Sequence, residues 1–133
     1  MYVFDTDVLS LLMRHRLPAS VLARMSAVAA ERAHTTTITL GELFYGALRS
    51  SAPQRLLEGI DEVTRHITCL PFDRSAALRY GELRAHLEAK GTPLDDADLR
   101  IAAIASARDL ILVSGNARHF SRVPGLRYEN WLA

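Results

Sequence analysis

The sequence predicts an α/β fold, with a parallel sheet of about five strands between two helical layers. Three observations lead there. Short apolar runs alternate with helix-length segments along the whole chain, the pattern of βαβ units with helices on both sheet faces. The 133 residues are 49% hydrophobic, enough for one core and a single domain over residues 1–133. Polar and acidic residues repeatedly follow the apolar runs, where open α/β sheets place their chemistry.

Tyr2 to Phe4 is a short apolar run ending in acid, which suits a buried strand. Val8 to Met13 reads as a helix, closed by Arg14-His15-Arg16, whose charge complements a helix C-terminus, and then Pro18. Ala19 to Arg32 is a second helical stretch. His34 to Thr37 is β-branched in character and fits the next strand. Thr39 to Ser50 and Gln54 to His66 are helical, with Pro53 as punctuation. Ile67 to Phe72 contains Pro71, so an edge strand is expected. Ser75 to Lys90 is a long helix stopped by Gly91 and Pro93, and Asp95 to Arg108 is another. Leu110 to Val113 is the clearest buried strand. A short helix from Ala117 and a strand near Leu126 to Tyr128 complete the order.

Composition excludes several classes. Cys69 is the only cysteine, which rules out an internal disulfide and a cysteine-based zinc site and suits a reducing cytoplasm. The opening MYVFDTD lacks the pattern of a secretory leader. No apolar run reaches the roughly 20 residues that span a bilayer. The formal net charge is +1, so bulk charge does not point to nucleic acid. Fifteen of the sixteen basic residues are Arg, and Lys90 is the exception. Arg suits phosphate, although an Arg-favouring codon usage is the plainer account of the bias.

Asp5 and Asp7 follow the first strand directly. Asp5 or Thr6 also fits an N-cap for the next helix. Thr39-Leu40-Gly41-Glu42 has the spacing of a capping box, a role that competes with a catalytic one for Glu42. Asp95, Asp96 and Asp98 open a helix. The first two suit its dipole, but Asp98 heads the apolar stripe Ile101, Ala102, Ala105, an expensive place for mere capping. Ser114-Gly115-Asn116 follows the fourth strand, where Asn116 fits a turn or a cap as well as a site. Taken together, Asp5, Glu42, Asp98 and Asn116 all sit at strand ends or helix starts and are the candidate catalytic set. Asp7, Asp95, Asp96 and Ser114 are candidate accessories. Clustered carboxylates repel unless a cation neutralises them. With oxygen donors and no Cys or paired His, that cation is hard, Mg²⁺ or Mn²⁺.

These pieces resemble a family. Val3-Phe4-Asp5-Thr6-Asp7-Val8-Leu9-Ser10, Thr39-Leu40-Gly41-Glu42-Leu43 with Tyr45-Gly46, and Asp98-Leu99-Arg100-Ile101-Ala102-Ala103 look like the PIN-domain toxins called VapC. So do Val113-Ser114-Gly115-Asn116 with Phe120, Val123-Pro124-Gly125-Leu126, and Asn130-Trp131. The order is kept from end to end. The chain is most similar to the enteric subgroup linked to cleavage of initiator tRNA in the anticodon loop. The resemblance implies a PIN-like three-layer α/β/α fold, with Asp5, Glu42 and Asp98 as the metal-binding acids. It also implies a metal-dependent endoribonuclease acting on tRNA, a homodimer, and a VapB antitoxin that inserts a segment over the site and assembles with it as a hetero-oligomer. Two departures stand out: Asn116 where the family often has a fourth acid, and Asp7 where the subgroup commonly has Asn. Arg14, Arg84 and Arg118 are candidate RNA contacts, and His119 lies beside the Asn116 turn.

Two other readings compete. Asp5-Thr6-Asp7 matches the D-x-D of haloacid-dehalogenase-type phosphatases, but that scheme needs a Lys, and Lys90 lies away from any predicted strand end. An inactive RNA-binding PIN module would keep the fold without the chemistry, which the intact acid set argues against.

Overall fold

A computed structural model describes residues 1–132. The strands β1 (Tyr2–Phe4), β2 (Ala33–Thr36), β3 (Thr68–Leu70), β4 (Ile111–Val113) and β5 (Tyr128–Glu129) form one sheet in the order β3-β2-β1-β4-β5. Every pairing is parallel. The helices are α1 (Thr6–Met13), α2 (Ala19–Ser26), α3 (Thr37–Leu48), α4 (Pro53–Thr64), α5 (Arg74–Ala89), α6 (Asp96–Ala107) and α7 (Ala117–Phe120). Among the described residues no helix is long and apolar enough to cross a membrane.

The sheet has a core on each face, set by strand alternation. Val3 and Leu112 point to a cluster with Leu83, Leu87, Leu99, Ile101 and Ile104 of α5 and α6. Phe4 and Val113, their neighbours in the chain, point the other way and pack with Val8, Leu9, Leu43 and Ile60 of α1, α3 and α4. Each large side chain buried in this way stabilises the fold by roughly 1.5–3 kcal/mol. The chain winds outward from β1 to β3 and then crosses back to β4, so the strand order reverses between β1 and β4. In such sheets the crevice at the carboxyl ends of those two strands is the ligand site.

The sequence expectations differ in detail from what forms. The helix expected over Ala19 to Arg32 breaks: α2 stops at Ser26, and only a 3₁₀ turn, Ala30–Arg32, follows. No Gly or Pro causes the break. Ala33 must enter β2 opposite Tyr2, and Val28 turns toward the groove beside α1 and α4, so packing overrides helical propensity. β3 ends before Pro71, on the edge where a missing N–H does least harm. The last strand begins two residues later than expected and is shorter, Tyr128–Glu129. Gly125 turns the chain with φ +76, and Leu126 is then used in the core rather than in the sheet.

Candidate active site

Parallel pairing of β1 with β4 puts Phe4 beside Val113. The ladder runs one step further, because the Asp5 N–H donates to the Val113 carbonyl at 3.2 Å. Asp5 and Ser114 therefore leave the sheet side by side. Asp5 is only 3% exposed and is the N-cap of α1, its Oδ1 accepting from the Val8 N–H at 3.0 Å. Capping and site placement are thus compatible for Asp5: one oxygen serves the helix. Ser114 is buried, bonds the Asp5 side chain, and is fixed from behind by its N–H on the Glu129 carbonyl at 3.1 Å. Its Oγ accepts the Asn116 N–H at 2.9 Å.

Glu42 does not belong to a capping box. The N-cap of α3 is Thr36, whose hydroxyl accepts the Thr39 N–H at 3.0 Å. Thr39 is already inside the helix and buried, and Glu42 is exposed on the following turn. Its Oε1 accepts the Thr6 hydroxyl at 2.5 Å, and Thr6 also lies 3.3 Å from the Thr39 hydroxyl. Thr6 thus connects the acid on α3 to the start of α1. Nothing in its spacing distinguishes it from an ordinary first-turn residue, and sequence reasoning missed this role.

Asp98 is half-buried in the first turn of α6, with Asp95 as the N-cap. Burial is the chief reason its carboxyl rises from 3.8 to about 6. The charges of Asp95, Asp7 and Glu42 push it further, and His119 opposes them. Asp5 also rises to about 6, again through burial first. The hydrogen bonds from Ser114 and Val8 pull it down, while Asp7 and Asp98 push it up. Five carboxylates from three segments therefore act on one another at the reversal point of the sheet, and Asn116 joins them through Asp7 at 2.8 Å.

Every donor in this group is oxygen, the set that suits a hard divalent cation. Burial first and the neighbouring carboxylates second lift the pKa of Asp5 and Asp98, and a bound cation would offset both penalties. Among the described residues no three His, Cys, Asp or Glu side chains close around one point.

A family model for the PIN domain matches residues 2–126. The chain is 43% identical over 96 residues to the tRNA(fMet)-specific endonuclease VapC of Salmonella typhimurium, covering 72% of this chain and 73% of that protein. It is 37% identical over 130 residues to the protein of the same name from Shigella flexneri, covering 98% and 97%. The chain belongs to the PIN-domain family, among the VapC ribonucleases. The crystal structure of DNA-bound VapBC from Salmonella typhimurium superimposes with a TM-score of 0.92 at 35% identity, over 98% of this chain and 97% of that one.

Within this PIN domain, not every predicted residue reaches the cluster. Asp96 is the clearest correction. Its carboxylate accepts from Tyr80 and, at 2.7 Å, from Arg100, and these two bonds hold it below the usual carboxylate range. It braces α6 against α5 instead of serving the site. Arg84 belongs to the same brace, donating to Tyr80 at 2.9 Å and Glu88 at 3.2 Å. Arg14 is the C-cap of α1, and Arg118 is exposed on α7. Lys90 is the C-cap of α5. It does not stand at a strand end, so the phosphatase reading loses its lysine as well as its family.

Proposed function

We propose that this chain is a divalent-metal-dependent endoribonuclease, the toxin half of a VapBC toxin–antitoxin pair. The observation that carries the reading is the coupled set Asp5, Glu42 and Asp98, with Asn116 beside it, at the carboxyl ends of β1 and β4. Asp5, Glu42 and Asp98 would hold the metal, with Mg²⁺ as the proposed ion and Mn²⁺ as a substitute. The bound ion would supply the positive charge that phosphodiester hydrolysis requires. The chain's own residues arrange the rest. Ser114 and the start of α1 fix Asp5, Thr6 fixes Glu42, and the packing of α6 fixes Asp98.

The relatives named tRNA(fMet)-specific endonucleases support initiator tRNA as the substrate, cut in the anticodon stem–loop, where splayed bases are open to recognition. Arg118 is the basic residue nearest in sequence to the Asn116 turn and is the proposed phosphate contact. VapBC complexes among the structural neighbours support a VapB partner and assembly with it as a hetero-oligomer; a toxin homodimer and a cytoplasmic setting are part of the same proposal. An apolar groove of about 600 Å³, walled by Leu12, Met13, Leu17, Leu22, Met25 and Val63, has the character of a seat for an amphipathic antitoxin segment.

The test is induction of the chain alone and with its antitoxin, followed by mapping of RNA ends. Growth arrest relieved by VapB, with cuts in the initiator anticodon loop, is expected. Unchanged growth with soluble protein present would contradict the toxin reading. Equal cleavage of other tRNAs would remove the substrate claim alone.

A further inference from the structure

Asp7 and Asn116 are 109 positions apart in the chain, yet their side chains meet: Asn116 Nδ2 donates to Asp7 Oδ2 at 2.8 Å. The bond joins the first turn of α1 to the turn after β4. It settles which way the amide faces. An ionised carboxylate only accepts hydrogen bonds, so the NH₂ must turn to Asp7, and Oδ1 is the atom left over. The backbone of Asn116 is fixed separately. Its N–H bonds Ser114 Oγ at 2.9 Å, and its carbonyl accepts from His119 at 2.9 Å and Phe120 at 3.3 Å. Among the described contacts, Asp7 is the only hydrogen-bond partner of the Asn116 side chain.

We propose that Asp7 is a positioning residue that locks the Asn116 amide so that its carbonyl oxygen, not its NH₂, is presented to the reacting groups. The inference rests on the ribonuclease reading of the acid cluster. An unrestrained amide offers a donor in one orientation and an acceptor in the other. Only the acceptor helps a cation, since amide carbonyl oxygens are ligands for hard ions. The pairing also explains the distribution of charge. Two carboxylates facing each other at this distance would force one to stay protonated, whereas Asp7 with Asn116 is complementary. The acid stands on the rigid helix start, and the neutral oxygen stands on the turn.

Asp7→Ala, Asp7→Asn and the wild type separate orientation from charge. Asp7→Ala removes the acceptor. Asp7→Asn loses the charge but keeps an amide oxygen that accepts the same bond. Asp7 is exposed, so neither change opens a core. Two measurements are made: NMR of the Asn116 side-chain NH₂ in metal-free protein, and Mn²⁺ affinity by calorimetry. Asp7→Ala is expected to abolish the protection of the Asn116 NH₂ and to lower Mn²⁺ affinity roughly 10–100-fold, the usual effect of losing a group that orients a ligand. Asp7→Asn is expected to recover the protected NH₂ and most of the affinity. An unaltered NH₂ signal in Asp7→Ala would overturn the proposal. So would an Asp7→Asn protein as weak as Asp7→Ala, since Asp7 would then act by charge. The NMR arm needs neither metal nor RNA, so a wild type that cleaves nothing would refute the ribonuclease reading while this arm still decides the role of Asp7.

Discussion

Replacing Asp5 by Asn should make the metal-free protein more stable while destroying its activity. Asn is as good an N-cap as Asp, so the bond to the Val8 N–H survives, and its NH₂ can still meet the Ser114 hydroxyl. What disappears is a carboxylate only 3% exposed whose pKa burial has pushed from 3.8 to about 6. The sign follows from linkage. The folded state holds this proton more tightly than the unfolded chain, so its contribution to stability falls as pH rises from about 4 to about 6. At about 1.4 kcal/mol per pH unit, the full penalty above pH 6 is about 3 kcal/mol. For a chain of this length that corresponds to roughly 10 °C in melting temperature. The assay is thermal or urea unfolding of both proteins in EDTA at pH 4 and pH 8. The curves should coincide near pH 4, and Asp5→Asn should be the more stable at pH 8. Saturating Mn²⁺ should stabilise the wild type and leave the variant unchanged. An Asp5→Asn protein less stable than wild type at pH 8 in EDTA would refute the reasoning, because capping and hydrogen bonding would then outweigh burial of the charge.

Glu42→Gln should melt within about 0.5 kcal/mol of wild type, as an exposed substitution does, and should lose RNA cleavage; Thr36→Ala, which removes the true cap of α3, should cost about 1 kcal/mol. Equal stability losses in the two variants would restore a capping role for Glu42. Leu22→Glu, at a 45% exposed position on the apolar groove, should weaken VapB binding at least tenfold with cleavage intact. Unaltered affinity by calorimetry would move the antitoxin off this groove.

How far the sequence carried these conclusions depends on the kind of signal. Asp5 and Asn116 were legible because buried parallel strands are short apolar runs, and whatever follows them stands at the site. Asp98 was legible because it heads an apolar helical stripe, which now proves to be the buried seam of α6. Asp96 could not be separated from it. Which of two neighbouring first-turn acids faces the cluster is decided by Tyr80, sixteen positions earlier on another helix. The pattern Thr39-x-x-Glu42 misled because β2 ends at Thr36 and the same bond type is made three residues sooner. Local motifs cannot fix that register. The strand pairing of β2 does. Thr6 was invisible for a related reason, since its partner Glu42 is 36 positions away.

The most direct test of the central claim is cleavage of purified initiator tRNA by the purified chain, run with Mg²⁺ and with excess EDTA, alongside Asp98→Asn. The account predicts a single cut in the anticodon loop that EDTA abolishes and Mg²⁺ restores. It predicts a loss of orders of magnitude in Asp98→Asn, whose fold should be intact. Full activity in EDTA, or in Asp98→Asn, would contradict it.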